Sequence, residues 1–176
     1  MSKAKLRKEI ATFTKEQLVE VVIDAYESSP EAKKYFEYFL NPDPAKLREE
    51  KENIVAKELN RTKWGDCKAR ISVIKRAVKE FRAFKGDAEN HVLLLRDILM
   101  MMLGQNNYYN YPEALYNGAA YIAVEYIRVK AETDGIDEAL REFDKIVNKL
   151  ARPRMANVVR MAVKEFCTSV NTIKPE

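Results

Sequence analysis

Residues 91–103 read His-Val-Leu-Leu-Leu-Arg-Asp-Ile-Leu-Met-Met-Met-Leu, and the fold follows from how that stretch must be buried. Apart from His91, Arg96 and Asp97, every residue in it is apolar. At about 100° per residue these apolar side chains reach nearly every side of a helix, the pattern of a helix enclosed by others. The stretch is shorter than the roughly 20 apolar residues a bilayer demands, so no membrane span is expected. Asp87 stands where an N-cap belongs, and Gly104 with the run Gln-Asn-Asn-Tyr-Tyr-Asn-Tyr-Pro over 105–112 ends the helix.

Working outward towards the N-terminus, a short charged helix is predicted over 3–11. Thr14 and Gln17 have capping-box spacing, and Leu18, Val21, Val22, Ala25 and Tyr26 follow the i, i+3, i+4, i+7, i+8 rule. Ser29-Pro30 is a cap followed by proline at the first helical position, ahead of Ala32, Tyr35, Phe36, Phe39 and Leu40. Asn41-Pro42-Asp43-Pro44 stops that helix and starts a very polar fourth one, with a thin stripe of Leu47, Ile54, Val55 and Leu59. A loop over 62–66 carries Trp64, and a fifth helix is predicted over 68–84 with Gly86 behind it. Towards the C-terminus, helices are predicted over 112–133, 137–150 and 153–169, with a loose tail after Thr172. The expectation is an all-α fold of eight to nine helices in antiparallel hairpins, either α-solenoid-like or an irregular helical bundle.

The run 72–81 echoes 157–166 without gaps, with Lys75 matched by Arg160 and the Ala-Val-Lys-Glu-Phe ending shared. Duplication of a helical hairpin and chance similarity of amphipathic helices both account for it. The chain is therefore read as a single helical domain over 1–176, with two related halves at about 1–86 and 87–171 under the duplication reading.

At 176 residues the chain can bury a core without metal or disulfide. Only 5 glycines and 6 prolines argue against a many-turned sheet. The N-terminal segment is charged and lacks a signal-peptide apolar region, so Cys67 and Cys167 are expected as reduced thiols of a cytoplasm. The net charge of +4 is unevenly spread: residues 14–60 hold 11 acids and 7 bases, residues 61–85 hold 9 bases and 2 acids.

Recognisable catalytic chemistry is scarce. With His91 as the single histidine, any triad or Cys-His dyad would have to use it, and a packing role near the start of the apolar helix is the expectation. Two cysteines and one histidine without close spacing make no zinc site, and no glycine-rich phosphate loop is present. No metal and no cofactor is expected, and the balance leans away from an enzyme.

Three readings of function remain. The first is a protein-interaction or scaffold module, binding a protein partner or itself as a homodimer. Its candidate contact is the tip of Asn106, Asn107, Tyr108, Tyr109 and Tyr111, since tyrosine joins apolar area to a polar end. Tyr116, Tyr121 and Tyr126 fit either that surface or the core. The second is nucleic-acid binding by a basic face of Lys68, Lys75, Lys79 and Arg82, repeated by Arg160 and Lys164. The same cations could instead face the acidic segment inside the protein or across a dimer. The third is an enzyme built on Arg96, Asp97 and nearby tyrosines.

The stretches KLRKEIATFTKEQLVEVVIDAYESSPEAKKYFEYFLNP over 5–42 and RISVIKRAVKEFRAF over 70–84 resemble an uncharacterised bacterial family of small helical proteins. The resemblance covers about residues 1–85. It implies a bacterial, cytoplasmic, helical protein, and it carries over no catalytic residue.

Overall fold

The structure, a computed structural model, describes residues 2–60, 69–84, 87–105 and 112–172. Among the described residues are nine helices and no strand. They are α1 (Lys3–Ile10), α2 (Lys15–Ser28), α3 (Pro30–Leu40), α4 (Pro44–Leu59), α5 (Ile71–Ala83), α6 (Ala88–Leu103), α7 (Glu113–Asp134), α8 (Ile136–Leu150) and α9 (Pro153–Thr172). The contacts gather into two compact units, Met1–Asp43 and Pro44–Glu176. None of the helices is long and apolar enough to cross a membrane.

In the first unit the helix starts are those the sequence dictates. Thr14 Oγ1 accepts from the Gln17 amide at 3.3 Å while Gln17 Oε1 accepts from the Thr14 amide at 2.9 Å, the full capping box. Ser29 caps α3 through the Ala32 amide at 3.2 Å, with Pro30 opening the helix. α2 and α3 pack against each other near Ala25, Tyr26 and Phe36, all half-buried. No residue of α1, α2 or α3 is buried.

The second unit is built around α6. That helix packs on α4, α5, α7 and α8, and buries His91, Val92, Leu94, Leu95, Ile98, Leu99, Met102 and Leu103. Asp87 caps it through the Asn90 amide at 2.8 Å, and the Gly104 amide closes it on the Met100 carbonyl at 2.9 Å. α7 is the second hub, packed on α6, α8 and α9, so the unit is an irregular bundle about two central helices. Gly118 lets α5 and α6 approach α7: a methyl group there would sit 2.3 Å from Ile71 Cδ1 and 2.9 Å from Met102 Cε.

The echoing segments differ in their packing. α4 packs along α5, whereas α8 and α9 pack chiefly on α7. α5 begins at Ile71, three residues later than the spacing predicts, because Ala69 adopts φ 42° and breaks the helical path. Gly86 and Trp64 lie outside the described residues.

Candidate interaction surface

Among the described residues, most of the exposed large apolar side chains lie on α2 and α3. At about 100° per residue, the apolar side chains of α2 run from Ile23 through Val19, Val22 and Leu18 to Val21 over an arc of roughly 200°. Glu16, Glu20, Asp24 and Glu27 fill the opposite side. Only Ala25 and Tyr26 of α2 are half-buried, where α3 packs, and the rest of the arc stays exposed. Leu18, Val19, Val21, Val22 and Ile23 are between 37% and 47% exposed, and Phe39 and Leu40 at the end of α3 are 64% and 73% exposed. Tyr35 stacks on Phe39 at 6.3 Å and extends the patch. Single exposed apolar residues are ordinary on a protein surface, but a contiguous patch of them marks an interface. The i, i+3, i+4, i+7, i+8 spacing accounts for only one side of α2, whereas a full helical wheel shows the whole width of the arc.

The tyrosine-amide tip of Asn106, Asn107, Tyr108, Tyr109 and Tyr111 lies outside the described residues. The three tyrosines beyond it divide. Tyr126 is fully buried and its hydroxyl donates to Glu142 Oε2 at 3.1 Å. Tyr116 is buried beneath the Arg154 guanidinium, 4.8 Å from its ring. Tyr121 is half-buried and lines a shallow groove between α7 and α9 together with Val124, Ala162 and Phe166.

The candidate basic face is dispersed. Lys75 Nζ lies 4.3 Å from the Tyr121 ring centre, a cation–π contact. Arg160 donates to Asp144 at 3.2 Å and to Asn148 at 2.8 Å. Lys79, Arg82 and Lys164 are exposed, and Lys68 lies outside the described residues. α4 and α5 exchange charges in both directions: the Glu58 carboxylate accepts from Arg70, just ahead of α5, through Nε at 2.8 Å and Nη2 at 2.6 Å, and Lys51 of α4 pairs with Glu80 of α5 at 2.7 Å.

Arg96 and Asp97 pair with each other at 2.9 Å and stand in a polar seam across α4, α6, α7 and α8. Burial, then the neighbouring Asp97 carboxylate, pushes the Glu52 carboxyl up, although Arg48 lies 3.2 Å from it. Burial also pushes the Tyr126 phenol up, assisted by Glu142. Burial opposes the charge on Glu142, but hydrogen bonds from Lys130 and Tyr126 prevail and hold that carboxyl low. The seam is thus a set of mutual pairs tying helices together. Among the described residues no three His, Cys, Asp or Glu side chains come together to hold a metal ion.

His91 packs against Phe81, 5.7 Å between ring centres, and its Nε2 is buried without a hydrogen-bond partner. Cys167 is a half-buried thiol whose pKa is raised by burial, and Cys67 lies outside the described residues.

Residues 1–132 match a family described as "Family of unknown function (DUF6155)", and the chain belongs to it. The match reaches beyond the 1–85 of the sequence resemblance and ends inside α7, leaving α8 and α9 outside it. No curated protein and no solved structure matches the chain.

Proposed function

We propose that this chain is a protein-interaction module without catalysis of its own, and that its working surface is the apolar face of the α2–α3 pair. The observation that carries the reading is the roughly 200° apolar arc of α2 in a unit with no buried side chain among its described residues. About forty residues without a core do not hold themselves together, and chains of that size usually fold by association. The partner is a protein, with self-association into a homodimer included in the reading. Placement in a bacterial cytoplasm rests on the sequence resemblance and on the expected thiol state of the cysteines. The related-halves reading of the chain rests on the echo of 72–81 in 157–166.

Val19→Lys with Ile23→Lys puts two charges on the exposed arc. Light scattering should show association lost while the unfolding midpoint of the second unit is unchanged. A midpoint that falls with no change in mass would mean that the face is internal packing.

The second reading, nucleic-acid binding, is favoured by one observation: basic α5 and α9 both pack on α7, with Lys79, Arg82 and Lys164 exposed. It requires DNA or RNA affinity that falls steeply with salt and is abolished by Lys79→Glu with Arg82→Glu. Affinity that ignores that reversal rules the face out. The third reading, an enzyme at Arg96 and Asp97, has less support because those two groups already neutralise each other.

A further inference from the structure

We propose that the α2–α3 face is covered by a second copy of this chain, with α1 of each copy lying across the α2–α3 pair of the other. This rests on the reading of that face as an interaction surface. α1 is itself amphipathic: Leu6 and Ile10, with Phe13 just beyond the helix, fall on one side at i, i+4 and i+7 spacing. Leu6 and Phe13 are exposed, and no residue of α1 is buried. Lys3 and Arg7 flank the stripe.

Charge selects the pairing. α1 carries Lys3, Lys5, Arg7 and Lys8 against Glu9 alone, and α2 carries Glu16, Glu20, Asp24 and Glu27 against Lys15 alone. Glu16, Glu20 and Glu27 border the Ile23 edge of the apolar arc, so two α2 helices packed along that edge would bring their acidic sides together. α1 laid on α2 sets opposite charges beside the same apolar contact. Within its own chain α1 is not among the helices packed on α2 or α3, and it buries none of its residues there. A second copy supplies its own α1 together with the exposed Phe39 and Leu40 at the end of its α3. A reciprocal arrangement of this kind closes at two chains.

The test uses the full chain and two charge-reversed variants, Lys3→Glu with Arg7→Glu, and Glu20→Lys with Glu27→Lys, measured by sedimentation. The wild type should sediment at twice the 20.4 kDa chain mass. Each variant alone should be monomeric, and an equimolar mixture should recover the dimer, because both reciprocal contacts are then again between opposite charges. A wild type that is monomeric at every concentration overturns the inference, and so does a mixture that stays monomeric. If Val19→Lys with Ile23→Lys dissociates the dimer while the charge reversals do not, the surface stands as an interface and the α1 pairing falls. If neither set changes the mass of a dimeric wild type, the surface reading falls with it.

Discussion

The ammonium of Lys51, fully shielded from solvent, donates to Glu80 Oε2 at 2.7 Å and ties α4 to α5. Glu50 Oε1 lies 3.4 Å from the same nitrogen. The arrangement is asymmetric, since the Glu80 side chain is 43% exposed and Lys51 has no exposure at all. Removing the acid strands a buried cation, whereas removing the cation leaves an acid that water can reach.

Glu80→Ala should therefore destabilise the second unit by about 2 kcal/mol or more, below the roughly 3–5 kcal/mol of a fully buried pair because Glu50 remains. Lys51→Met, which keeps the volume, should fall within about 1 kcal/mol of wild type. Urea unfolding of the two variants checks the order, and equal losses would show that the pair is worth no more than its packing.

Gly135 joins α7 to α8 at φ 86° and ψ 158°, a backbone conformation that side chains resist. Nothing lies within 4 Å of where a Cβ would stand, so crowding plays no part. Gly135→Ala should cost about 1–3 kcal/mol through backbone strain alone. A thermal midpoint equal to that of the wild type would refute this conformation at the joint.

Burial, with the like charge of Arg82 second, holds the His91 imidazole below its ordinary value, and Glu125 and Glu132 pull weakly the other way. The folded protein thus binds this proton less readily than the unfolded chain. The stability His91 contributes is full above the unfolded pKa near 6.5 and is lost as pH falls through it towards the lower folded pKa. His91→Leu should flatten the fall in urea midpoint between about pH 7.5 and 5.5. An unaltered slope would mean that His91 reaches solvent.

Glu52 has the opposite sign. Its raised carboxyl pKa means that its contribution is greatest below about pH 4.5 and is lost as pH rises through the folded value. Glu52→Gln should raise the urea midpoint at neutral pH, and a lowered midpoint would show that the Arg48 attraction outweighs burial and Asp97.

Much of this fold is legible in the sequence because its signals are local. The Thr14 capping box, the Ser29-Pro30 start, the Asp87 cap and the enclosed α6 each depend on residues within one or two turns. What escapes a residue-by-residue reading is position within a stripe. Lys51 lies four residues from both Leu47 and Val55 on the buried side of α4, so the helix that reads as thinly apolar buries a lysine and, at its end, Glu58. Ile54, assigned to the stripe by its type, is only half-buried. The interaction surface escapes for a related reason: matching α2 to a one-sided template accounts for Leu18, Val21, Val22, Ala25 and Tyr26 and leaves Val19 and Ile23 without a role.

A second copy lying over the α2–α3 face would slow amide hydrogen exchange in α2 in proportion to its occupancy, so exchange followed against protein concentration reads that cover residue by residue. Protection of the amides around Val19 to Ile23 should rise with concentration as copies pair, while α6 stays protected throughout. Protection in α2 that is the same at every concentration would mean that no second copy covers the face.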